Sequence, residues 1–568
     1  VSDLRELAGS IVVTGIPGDR LDPATRAALC DLRPGGVVLF DRNVSTLAAT
    51  RDLVAAVRDA VRGAAPALAC VDQEGGRVAR LRFRDPGIPS MLGVGAAGDT
   101  DLAERAGAAL ADDLRAIGAN VDFAPVLDLA LAREGTVIGR RSFGDDPQRV
   151  AALGVAVVRG MQSRGVAASA KHFPGHGSTA LDSHRELPIV GADLATLSAR
   201  DLVPFAAAIA AGVDAVMTAH VLFTQLDPER PASLSPRILT GLLRDELHFD
   251  GVCVTDCLQM DAIARGVGSV RGGVLALAAG ADALLVSHDV KLALALRDAI
   301  VAAVRDGDVP RARLEDAARR VAALRTKRAP AGDVPEASGA SDDTAREVAA
   351  RAVVVSTSVR VHGHATAALS AVDATIPSDR PVTVVSFEGD ASDGVADARG
   401  ERPSLSLALR RRRVRSESMR VPLEPDDETI SVLLDVLRAQ GDRTIVLVAR
   451  RADLRPTQAR AIDAILDIAS DAVGISALEP FDLFALARAR AIVCSFGDDD
   501  ANVDAIASVL VGEAKATGGF PVAVSIASPD GRWLPSRAEI DARLPRRVRA
   551  PVAGAADALG DDAEAGGP

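Results

Sequence analysis

The stretch VAASAKHFPGHG, Val166–Gly177, decides the fold. It opens as an almost continuously apolar run, Val166–Lys171, and breaks at Pro174-Gly175 into a loop loaded with basic side chains. Such a run suits a parallel strand covered on both faces. Similar runs stand on either side: Ser10–Thr14, Gly36–Phe40, Ala67–Asp72, Ala119–Phe123, Val213–Thr218, Gly251–Thr255 and Ala281–Val286. Between them lie stretches of helical character: Pro23–Leu32, Thr46–Arg62, Asp101–Ile117, Pro147–Ser163, Leu194–Ala211, Pro236–Leu247 and Val270–Ala279, then Lys291–Asp306 after the last run. This alternation predicts an α/β fold, a (β/α)8 TIM-type barrel. A doubly wound open sheet is the alternative, but no G-x-G-x-x-G turn follows the first run, which disfavours its dinucleotide-binding form.

Arg311–Arg328 reads as a closing helix, so residues 1–328 are expected to form the barrel domain. The segment APAGDVPEASGASDD, 329–343, has little to bury and reads as a linker. Helical character resumes at Thr344–Ala352, and new strand-like runs follow at Val353–Thr357, Val382–Phe387, Thr444–Val448, Ala491–Ser495 and Val522–Ile526. Thr429–Ala439 and Pro456–Ile468 read as helices between them. Residues 344–550 are therefore expected to form a smaller open α/β domain, a three-layer sandwich of parallel type, and residues 551–568 a frayed tail.

Composition narrows the function. Of 568 residues 48% are hydrophobic, enough for large cores, and no apolar run of membrane-spanning length occurs. With 65 basic against 77 acidic residues the net charge is −12, which disfavours polyanion binding; nucleic acid is not an expected partner. The basic run Arg410–Arg413 reads as a solvated face. Cys30, Cys70, Cys253, Cys257 and Cys494 are few, scattered and odd in number, which points to a reducing compartment. The first twenty residues lack a basic start followed by a long apolar core, so a cytoplasmic location is expected.

In a barrel the reactive groups gather where strands end and loops begin. Asp72 ends the third run, within DQEGGRVAR (Asp72–Arg80). IGRRSFG (Ile138–Gly144) follows the fourth, and LDSH (Leu181–His184) follows the fifth. Met217 and His220 sit near the end of the sixth, and Asp256 ends the seventh, within VTDCLQM. His172 and His176 do not form a helical metal pair, because Pro174 and Gly175 stand between them, and no metal or other cofactor is expected. Asp182 and His184 lie two apart, close enough for a carboxylate to orient an imidazole. On composition alone, Asp256 reads equally as a salt-bridge partner or as a reactive carboxylate.

Taken together, DQEGGRVAR, RSFG (Arg141–Gly144), KHFPGHG (Lys171–Gly177), DSH (Asp182–His184) and TDCLQM resemble glycoside hydrolase family 3, in its bacterial β-N-acetylglucosaminidase branch. The likeness runs through the first domain; beyond the linker it is one of architecture only. The resemblance implies a retaining mechanism, with Asp256 as nucleophile and His184, on a mobile loop, as general acid/base in a dyad with Asp182. It also implies that Asp72, Arg80, Arg141, Lys171 and His172 hold the N-acetylglucosamine unit, with Glu74 and Met217 weaker candidates nearby. The implied partner is a small carbohydrate, from peptidoglycan fragments or chitin oligosaccharides. Some relatives pass the sugar to phosphate, so a phosphorylase is the alternative; a carbohydrate-binding protein on an inactive scaffold is the non-enzyme reading. Aromatics are only 2%, with Trp533 the lone tryptophan and no tyrosine. A long cleft with stacking platforms is thereby disfavoured, and a short pocket gripping one terminal sugar is not.

Overall fold

In the computed structural model the described residues are 3–61, 65–83, 85–132, 137–179, 183, 186–329, 340–356, 373–388, 404–483 and 485–522. The eight apolar runs of the first half all form strands: β1 (Val12–Gly15), β2 (Gly36–Leu39), β3 (Leu68–Val71), β4 (Val121–Asp122), β5 (Ala167–Phe173), β6 (Ala215–Thr218), β7 (Val252–Thr255) and β8 (Leu284–Val286). Each pairs in parallel with its sequence neighbour, and β1 pairs with β8. A parallel bridge between Val254 and Ala283 joins β7 to the entry of β8 and closes the ring. All seven residues of β5 are buried, including the polar Ser169, Lys171 and His172.

Local chemistry starts the outer helices. Asp22 accepts from the backbone N–H of Ala24 and Thr25 ahead of Pro23–Leu32, and Asp99 accepts from Leu102 N–H ahead of Thr100–Ala116. Asp146 caps Pro147–Ser163, whose first residue is a proline with no N–H to leave unpaired. Each such cap is worth about 1 kcal/mol.

The second half forms a six-stranded sheet: β9 (Val354–Ser356), β10 (Val382–Glu388), β11 (Ser416–Pro422), β12 (Thr444–Ala449), β13 (Val473–Ser476) and β14 (Ala491–Cys494). The order is β9-β14-β13-β12-β10-β11. All pairs are parallel except β9 with β14, which is antiparallel. The sheet is therefore not purely parallel, as the sequence reading had it. Alternate residues of β12 feed two cores: Ile445, Leu447 and Ala449 on one face, Val446 and Val448 on the other. Helices Asp427–Ala439 and Pro456–Ile468 cover the first face, while Leu405–Arg411 and Asp500–Leu510 cover the second, which makes the three-layer sandwich.

The helix expected from Thr344 begins at Ala340, inside the stretch read as a linker. Asp342 and Asp343 lie in its first turn, where acid favours the positive end of the helix dipole. This helix ties the domains together: Ala345 and Val348 join the barrel core, Ala349 and Ala352 the cores of the sandwich. Arg105 and Arg351 add ion pairs of 2.8 Å, to Glu347 and Asp99 respectively. Of the Arg410–Arg413 run, Arg412 is not a free surface charge but pairs with Asp504 and Glu513. Most of Val522–Ile526, Trp533 and the tail lie outside the described residues. Among the described residues no helix is long and apolar enough to cross a membrane.

Candidate active site

Three strand ends and one loop build a charged cluster at the carboxyl mouth of the barrel. Lys171, near the end of β5, points its Nζ 2.8 Å from Asp72 Oδ1 and 2.6 Å from Glu74 Oε1. Arg141, in the loop after β4, grips Glu74 with two parallel hydrogen bonds of 2.8 Å, from Nε and Nη2. That bidentate geometry suits a guanidinium and fixes its plane. Lys171 and Glu74 are almost wholly buried, whereas the Asp72 side chain keeps 18% of its surface. Asp72 is thus the carboxylate of this group most open to an incoming molecule.

Two carboxylates of this cluster, Glu74 and Asp122, go opposite ways. Arg141 and Lys171 beside Glu74 outweigh its burial and hold its carboxyl well below the ordinary range. Asp122, at the end of β4, accepts a hydrogen bond from Gln73 N–H, but burial dominates and pushes its carboxyl well above the ordinary range, with Asp72 and Glu74 adding to the rise. Lys171 stays raised despite burial, because Asp72 and Glu74 favour its charged form.

His172 follows Lys171 and is oriented by a residue that sequence reading missed. Asp128, fully buried in the loop after β4, accepts from His172 Nδ1 at 2.6 Å and from the backbone N–H of His172 and His176 at 3.1 and 2.7 Å. With Nδ1 donating, the Nε2 face is turned toward Arg141 Nη2, 3.4 Å away. One signal could have found Asp128: an acid inside the apolar stretch FAPVLDLA (Phe123–Ala130) must be paired if it is buried. His176 is a supporting group. Its ring lies between the hydroxyls of Thr179 (2.9 Å) and Ser183 (3.2 Å), and burial, with His172 nearby, pushes its pKa down to about 4.

Asp256 follows β7 directly, half-buried, and its Oδ1 accepts from Cys257 N–H at 2.7 Å. Arg80 sits by the end of β2, donating to Asp41 Oδ2 at 2.7 Å, with its guanidinium 5.7 Å from the Phe40 ring centroid. Met217 is a buried residue of β6 in the barrel core. Asp72, Glu74, Arg141, Lys171 and His172 are therefore joined by direct contacts. Asp182 and His184 lie outside the described residues. Ser183 between them is buried, and its carbonyl accepts from Ala262 N–H, six residues beyond Asp256, at 3.4 Å.

Fixed donors and acceptors set side by side in a largely buried cluster suit a neutral polyhydroxylated molecule, whose hydroxyls both donate and accept. Comparison with known proteins agrees. Residues 4–324 match the family described as the glycosyl hydrolase family 3 N terminal domain. A β-hexosaminidase of Stenotrophomonas maltophilia (strain K279a) is 45% identical over 285 residues, covering 49% of this chain and 83% of that protein. The structure of a family 3 β-N-acetylglucosaminidase from Paenibacillus sp. str. FPU-7 superposes with a TM-score of 0.84 at 34% identity, over 92% of this chain and 99% of that one. The β-glucoside phosphorylase BglX, at 19% identity and a TM-score of 0.75 over 94% and 95% of the chains, shares the fold. The chain belongs to glycoside hydrolase family 3.

Proposed function

We propose that this glycoside hydrolase is an exo-acting, retaining β-N-acetylglucosaminidase that removes terminal N-acetylglucosamine. The observation that carries the reading is the Asp72–Lys171–Glu74–Arg141–His172 cluster at the same barrel mouth as Asp256. The names of its relatives support the same sugar.

Asp256 attacks the anomeric carbon as the bond to the leaving oxygen breaks, and His184 gives its proton to that oxygen. In the second step His184 takes a proton from water, the oxygen adds to the anomeric carbon, and the Asp256 carboxylate departs. One imidazole does both jobs because its ordinary pKa of about 6.5 lies near working pH. Asp182 favours the proton-bearing form and holds its tautomer. Asp72, Arg80, Arg141, Lys171 and His172 hold the sugar, with Met217 lining its apolar side.

The test is turnover of a chromogenic N-acetylglucosaminide beside the matching glucoside. Asp256→Ala is expected to lower kcat on the first by at least about a thousandfold. His184→Ala is expected to hurt substrates with poor leaving groups far more than activated aryl ones; equal loss on both counts against the general acid. Repeating the reaction in phosphate identifies the acceptor: free sugar supports hydrolysis, and sugar 1-phosphate overturns it.

A further inference from the structure

The geometry points to a role for the second domain: it positions Arg141 by clamping the barrel segment Gly139–Asp145 from the outside. This rests on the sugar-holding role proposed for Arg141. Three parts of the sandwich reach the segment. After β14, Asp498 stands between two guanidiniums, with Oδ1 3.6 Å from Arg140 Nη1 in the barrel and Oδ2 3.5 Å from Arg450 Nε in its own domain. All three side chains are at most 10% exposed. After β13, Glu479 lies so close to Gly139 that a Cβ there would sit 2.4 Å from its Oε1, while Arg451 holds its Oε2 at 2.6 Å. At the end of the described chain, the Pro521 carbonyl accepts from Asp145 N–H at 3.2 Å, and a Cβ on Gly144 would lie 2.2 Å from it.

Arg141 is next to Arg140 and faces the other way, into Glu74 and His172. The segment is thus held between a substrate-side ion pair and a domain-side one. A carboxylate between two buried cations cancels their repulsion; without it, Arg140 and Arg450 push apart, and Arg140 can move only by carrying its neighbour. Asp498 and Arg140 are accordingly positioning residues that never touch substrate.

The test uses the full chain. In Asp498→Asn, KM for an aryl N-acetylglucosaminide and Ki for free N-acetylglucosamine are expected to rise together about tenfold, with a smaller change in kcat. A merely structural loss lowers kcat at constant KM by removing active molecules. In an Arg141→Lys background the Asp498→Asn penalty is expected to shrink below about twofold, because both changes act through one group. Arg140→Met removes the contact from the barrel side, is expected to raise KM alike, and replaces Asp498→Asn if that variant does not fold. Hydrogen exchange at the amides of Gly139–Asp145 gives a substrate-independent readout, expected to quicken about tenfold in either variant. Unchanged KM and unchanged exchange, or an undiminished penalty in the Arg141→Lys background, overturn the clamp. A wild-type protein inactive on the N-acetylglucosaminide, with the exchange effect intact, overturns the proposed substrate and leaves the clamp standing.

Discussion

Both domains carry charged groups at the carboxyl edge of a largely parallel sheet, but the two edges join those charges differently. In the barrel, Lys171 meets a partner 99 residues away, Asp72, and Arg141 one 67 residues away, Glu74. In the sandwich several pairs span shorter stretches of chain, though Arg450 reaches Ser386 across 64 residues. Arg451 joins Asp453 and Glu479, and Asp482 accepts from Ala452 N–H at 2.6 Å and from the Ser476 hydroxyl at 3.0 Å. A closed sheet points its loops at one axis, so charges from distant strands converge. An open sheet sets its loops in a row, where a charge meets those of the adjacent strand ends. Glu479 and Asp498, held by Arg451 and Arg450 in their own domain, also reach the barrel.

The convergent cluster should be the more fragile of the two. Glu74→Gln leaves the buried Arg141 facing a neutral amide and Lys171 with Asp72 as its one ion-pair carboxylate in the cluster, and is expected to cost about 3–5 kcal/mol in chemical unfolding. Asp122→Asn, in the same charged cluster, is expected to cost less than about 1 kcal/mol, since the charge it removes is one the fold disfavours. Equal costs would break the contrast between the two carboxylates.

The sandwich should show its own weak point through pH. Burial, with Asp453 nearby, pushes the Asp482 carboxyl up to about 7. A raised folded pKa in an acid means that the unfolded chain loses its proton first, from an ordinary value of 3.8. Stability from this group is therefore lost as pH rises between those values, and is constant above the folded one. Calorimetry at pH 5 and pH 8 is expected to show a stability change between the two that is less negative in Asp482→Asn than in the wild type by about 2–3 kcal/mol. A variant with the wild-type slope would remove Asp482 as its source. Least affected should be the exposed pairs of Arg488 with Asp463 and Asp467: Arg488→Gln is expected to change stability by less than about 0.5 kcal/mol in the same scan.

Legibility followed burial. All eight barrel strands were readable because strands covered on both faces are apolar throughout. Two sandwich strands were not. Ser416–Pro422 is an edge strand whose central residues, Glu417 to Arg420, are half-buried or exposed, so no apolar run marks it. Val473–Ser476 is short and contains Gly474, against which Leu486 packs where a Cβ would collide. The site residues nearest in sequence, Lys171 and His172, stood out as a motif. Asp128 did not, because its importance lies in three hydrogen bonds to another loop.

From its sequence alone this chain determined the strand-and-helix alternation, the division into a barrel and a smaller α/β domain, and the motifs that end the strands. Those depend on caps, turns and apolar periodicity, which act over a few neighbouring residues. Only the tertiary structure decided that Val254 meets Ala283 to close the ring, that Asp128 orients His172, and that Asp498 reaches Arg140 across the domain boundary. Desolvated charges choose partners by distance through space, and chain separation carries no record of that distance.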